Sequence, residues 1–116
     1  MLYPENINFI NEEEKEKFFS AYDATIECVK KLLPTAETEM DDNLGIHIWI
    51  PYTDLDYDDN LVDRGINVGV VWFIDRDTQN YITKEEICNK VEQVISRFIF
   101  VQKQICDAIS RAHSED

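Results

Sequence analysis

Apolar positions change period along the chain, and each change marks an element. Phe18, Tyr22, Ile26, Val29 and Leu33 recur at steps of four, four, three and four, the single stripe of an amphipathic helix. Asn11 precedes this stripe with Glu14 three residues on, a capping-box arrangement, and Glu12, Glu13 and Glu14 suit the positive end of the helix dipole. Lys30 and Lys31 stand near the other end and Pro34 forbids continuation, so the spacing predicts a helix over 12–33.

The period then falls to two. Residues 45–52 alternate Ile46, Ile48 and Ile50 against His47, Trp49 and Pro51, and residues 66–74 alternate Ile66, Val68, Val70, Trp72 and Ile74 against Asn67, Gly69, Val71 and Phe73. Both segments read as strands. The first-named set of each is expected to meet the helices, which leaves Trp49, Val71 and Phe73 with His47 on the far face. A helical period returns after a second capping box at Thr83 and Glu86. Ile87, Val91, Val94, Ile95, Phe98, Val101, Ile105, Ile109 and Ala112 form a stripe ending near Ala112, with Phe98 expected in the core and Phe100 outside the stripe.

Between these elements, 34–44 reads as a polar acidic connection, 53–65 as a long acidic loop and 75–82 as a turn. The fold class is therefore α+β: a two-layer α-β-β-α arrangement, with a small antiparallel sheet of two to four strands packed on one face by two helices. Its 116 residues, 1–116, make a single domain. Two strands alone are marginal in water. A third is expected from 6–10 or from part of 53–63, or else a second subunit covers the sheet.

Charge adds what periodicity does not. The formal net charge is -13, and the stretch from Thr35 to Asp63 holds nine acids without a Lys or Arg. Such a field repels nucleic-acid phosphates and anionic lipid, so direct nucleic-acid or membrane binding is not expected and a basic protein partner, or plain solubility, is. No apolar run reaches the roughly 18 residues of a membrane span, and the amino-terminal residues carry no secretory pattern. Cys28, Cys88 and Cys106 form no CxxC pair and read as free thiols, which points to a cytoplasmic protein without a cofactor.

Catalytic chemistry finds little footing. The chain has no Gly-rich phosphate loop, HExxH or GxSxG, and His47 beside Trp49 reads as a packing residue before a general base. An enzyme is not expected. Asp75, Asp77 and Glu86 fall on positions one, three and twelve of a segment that resembles an EF-hand calcium loop, with Ile82 at position eight. Gln79 and Asn80 depart from that pattern, and a strand rather than a helix leads into it. A polar turn and the Thr83/Glu86 cap account for the same residues, so these three are weak metal candidates and no specific calcium site is expected.

Protein binding fits best. Asp54, Asp56, Asp58, Asp59 and Asp63 are spaced along one segment as phosphates are along a strand, and Trp49, Tyr52, Tyr57 and Phe73 supply aromatic area nearby. In size and charge the chain resembles bacterial immunity proteins, antitoxins and phage-encoded inhibitors. That resemblance implies neutralisation of a basic, nucleic-acid-acting toxin or nuclease by occupying its positive surface. A dimeric, secretion-chaperone-like protein binding an effector segment is the alternative, and a calcium-responsive module the third.

Overall fold

The computed structural model describes residues 7–75, 77–78 and 80–114. Their order is α1 (Glu12–Leu32), β1 (Glu37–Met40), β2 (Gly45–Leu55), β3 (Leu61–Trp72) and α2 (Lys84–Ser114). The three strands form an antiparallel sheet in the order β1-β2-β3, and both helices pack on one face of it, a small α+β fold.

The helices begin where the capping chemistry places them. The Asn11 side chain accepts a hydrogen bond from the Glu14 N–H at 2.8 Å, and Thr83 Oγ1 accepts from the Glu86 N–H at 3.3 Å. The Lys30 ammonium donates to the Ala36 carbonyl, which ties the end of α1 to the connection before β1. The core lies between the layers. Phe18 and Val29 of α1, Ile46 and Ile48 of β2, Val71 of β3 and Ile87 and Val91 of α2 are all buried. Phe18 is the aromatic hub, with ring centroids 5.5 Å from Phe73 and 5.9 Å from Tyr22.

The third strand is β1, inside the segment expected to be a connection. Neither expected source supplies a new one. Ile7 to Ile10 carry no strand, with Ile7 and Phe9 packed against the core, and residue 6 lies outside the described residues. Residues 53–65 are not a loop: they extend β2 and β3 into a hairpin arm that closes at Asp56–Asn60.

One bulge corrects the facing of β3. Ile48 pairs with Gly69 but Trp49 pairs with Asn67, so Val68 is an extra residue on β3. The alternation inverts there. Val71 opposite Ile46 and Gly69 opposite Ile48 face the helices, whereas Val70 and Trp72 turn to the outer face with His47 and Trp49. Gly69 is required at the bulge because a Cβ there would stand 2.5 Å from Val94 Cγ1, so α2 and β3 meet at backbone distance.

Cys28 of α1 and Cys88 of α2 are joined in a disulfide, with 5.9 Å between Cα atoms and 60 residues between them in sequence. This overturns the expectation of three free thiols. Spacing along the chain could not show it, because the pairing follows from how the two helices lie together. Cys106 is free and exposed. Among the described residues no helix is long and apolar enough to cross a membrane.

Candidate functional site

β2 and β3 pair with each other from Gly45–Trp72 out to Leu55–Leu61, but β1 covers β2 only as far as Trp49. Beyond that point a two-stranded arm carries the acidic stretch away from the core. The arm closes on its own chemistry. The Asp59 N–H donates to the Asp56 carbonyl at 3.1 Å, the Asp56 N–H donates to the Asn60 carbonyl at 3.0 Å, and Asp59 takes a left-handed φ of 62°. This is a type I turn followed by a left-handed residue, a common three-residue hairpin loop.

The five aspartates of the arm play different parts. Asp56 Oδ1 accepts from the N–H groups of Asp58 and Asn60, each at 2.9 Å, so its carboxylate staples the turn. Asp54 pairs with Arg64 across the arm at 3.5 Å. Asp58, Asp59 and Asp63 are exposed; Asp58 and Asp59 sit at the tip beside Tyr57, whose ring is fully exposed, and Asp63 lies on the outer face.

The aromatic residues divide as well. Trp49 lies half-buried on the outer sheet face, packed so closely over Gly65 that a Cβ there would stand 2.8 Å from its ring. Tyr52 is exposed on the helix-side face of the arm, opposite Arg64. Phe73 is removed from the candidate surface. It is 0% exposed, stacked on Tyr81 at 6.2 Å in the core, because the bulge at Val68 reverses the facing of every β3 residue after it. Trp72, which alternation places in the core, stands instead on the outer face at 39% exposure. The Gly in the run Asn67-Val68-Gly69-Val70 was the available signal for that bulge.

A second acidic turn closes β1 on β2. Asp41 Oδ1 accepts from the Asn43 N–H at 2.8 Å and the Gly45 N–H at 2.9 Å, and its Oδ2 lies 2.8 Å from His47 Nε2. Partial burial pushes the Asp41 carboxyl up, but those two N–H groups and the His47 ring outweigh it and hold it below the usual 3.8. His47 is therefore a fixed partner of Asp41.

The Asp75 segment is a turn. The Asp75 N–H donates to the Asn80 carbonyl at 2.8 Å, Asp75 Oδ1 accepts from the Asp77 N–H at 2.8 Å, and Ile74 bridges Tyr81. Glu86 lies in the first turn of α2, where its N–H is capped by Thr83. Among the described residues no group of three His, Cys, Asp or Glu side chains is placed to hold a metal ion. Residues 76 and 79 of this segment lie outside the described residues.

No protein-family model matches the chain, and no match to it is found among curated proteins or solved structures.

Proposed function

We propose that this protein works by binding, not by catalysis, and that the tip of its hairpin arm engages a basic surface on a partner protein. The observation that carries this reading is the tip itself. Tyr57 is fully exposed at the end of a projecting arm and is flanked by Asp58 and Asp59, while Asp54 and Asp56 are engaged within the arm. An aromatic ring set between carboxylates combines an anchor for a pocket with charges that speed encounter with a cationic surface. Inhibition of a basic, nucleic-acid-acting toxin, in the manner of immunity proteins and antitoxins, is the specific form of this proposal. The second reading, a dimeric chaperone-like binder, is favoured by the exposed Ile105 and Ile109 on α2.

The test is a pull-down from the source cells with the parent protein and with a Tyr57→Ala/Asp58→Lys/Asp59→Lys variant, followed by association kinetics at several salt concentrations. A basic protein held by the parent and lost by the variant is expected, with an association rate that falls as salt rises. Retention of the same partner by the variant at every salt concentration sinks the proposal.

A further inference from the structure

The chain exposes more surface than its mass accounts for. A folded monomer of 13.6 kDa is expected to expose about 6,600 Å², whereas this one exposes 8613 Å². Its radius of gyration is 17.8 Å against about 13 Å for a compact domain of this length, and its longest extent is 64 Å. The excess, about 2,000 Å², falls within the area that each subunit of an obligate dimer buries.

Two projections carry that excess. α2 runs antiparallel to β3: Glu86 and Lys90 lie by Trp72, while Val101 and Gln102 lie by Asn67 and Val68. Past those contacts the tail of α2 and the hairpin arm extend in the same direction, and neither covers the other. Ile105 is 46% exposed, Ile109 63% and Leu61 76%. Ile105 and Ile109 continue the α2 stripe that is buried at Ile87, Val91 and Ile95, so that stripe runs on into solvent, and Leu61 stands exposed on the outer face of the arm.

The tail is suited to meet its own copy. Within its apolar stripe, Phe98, Val101, Ile105, Ile109 and Ala112 are spaced symmetrically about Ile105, while the exposed Ile99 and Phe100 lie outside the stripe. A two-fold axis through Ile105 sets two tails antiparallel, with the large Phe98 of each against the small Ala112 of the other and Val101 against the similar Ile109. Charge agrees. Residues 97–116 balance Arg97, Lys103 and Arg111 against Asp107, Glu115 and Asp116, whereas residues 52–66 carry five aspartates against Arg64. A chain of net charge -13 repels its copy, and the charge-balanced tail is where two copies meet with less repulsion than the acidic arms would give.

We infer that the protein is a two-fold dimer, formed by antiparallel packing of the α2 tails about Ile105. The inference does not rest on the hairpin tip as a docking site, and dimerisation leaves the test of that site readable on its own.

Light scattering and sedimentation across roughly 1 to 100 µM give the mass. A dimer of twice 13.6 kDa is expected; a monomer throughout, or a larger assembly, overturns the inference. Ile105→Glu/Ile109→Glu changes two exposed positions outside the core, so its circular dichroism should match the parent while its mass halves. A variant that folds and stays dimeric overturns the assignment of the surface. Position 105, on the axis, is tested with Ile105→Cys in a Cys106→Ser background. It should cross-link to its own copy under oxidation, and Phe100→Cys in that background should not; the reverse result also overturns the inference.

Discussion

Asp41, Asp56 and Asp75 hold the same place in three turns. Each accepts hydrogen bonds from backbone N–H groups two and three or four residues on, so three acids of this acidic chain are structural before they are available to a partner. For Asp41 this yields a pH prediction. A carboxyl whose folded pKa lies below the usual 3.8 stabilises the fold fully above that pH, and the contribution is lost as pH falls through the folded value. Asp41→Ala should lower stability at neutral pH by about 1–2 kcal/mol through the lost turn bonds. Asp41→Asn keeps an acceptor oxygen for those bonds, so its stability should fall less steeply than the parent's in acid. Chemical denaturation of the three proteins at a series of pH values reads both effects, and parallel acid limbs for parent and Asn variant would refute the linkage. Gly69 supplies a second prediction at this scale. Gly69→Ala forces a methyl against Val94, a branched side chain with one favoured rotamer in a helix, and should cost about 1–3 kcal/mol by thermal melting.

At the scale of elements, the bulge in β3 and the two turns decide what each strand presents. Phe73 is buried on the far side of the bulge, and Phe98 is only half-buried, lining the groove between β3 and α2. Phe73→Ala should therefore cost about 3–5 kcal/mol, and Phe98→Ala clearly less, the reverse of what the sequence alone suggests for the pair. Urea denaturation of the two variants side by side decides the order. In the arm, the charges should not act as equals. Asp58→Asn/Asp59→Asn removes two exposed tip charges, and Asn tolerates the left-handed φ of 62° that Asp59 holds, so the fold should be unaffected. Association with a basic partner should slow several-fold at low salt, with the loss shrinking as salt rises. Asp54→Asn, which removes a charge paired with Arg64, should do much less. Stopped-flow association of the two variants, matched in salt, compares them; equal losses would mean that the whole arm acts as one field.

For the molecule as a whole, the Cys28–Cys88 disulfide links α1 to α2 across 60 residues of chain. Closing a loop of that length removes freedom from the unfolded state, and loss of the bond should cost about 2–4 kcal/mol. Cys28→Ser/Cys88→Ser should melt well below the parent under oxidising conditions and together with it under reduction. An identical melting temperature in both conditions would show that the two thiols are not bonded in solution.

Local physics was legible in the sequence. Helix starts followed from Asn11 with Glu14 and Thr83 with Glu86, the end of α1 from Pro34, the strands from alternation and the α+β class from the order of these segments, because caps and periods are properties of neighbours in the chain. The hairpin turns were written there too, as an Asp followed four residues later by Gly45 or Asn60, but the density of acids made both segments read as solvated loops. Other features needed the tertiary structure. The reversal of β3 at Val68, and with it the exchange of Phe73 and Trp72 between core and surface, depends on how closely α2 approaches Gly69. The Cys28–Cys88 pair depends on how two helices cross. Which aspartates project into solvent and which staple a turn depends on the N–H groups that folding brings to each carboxylate. Contacts between residues distant in sequence decide all three, and no local period records them.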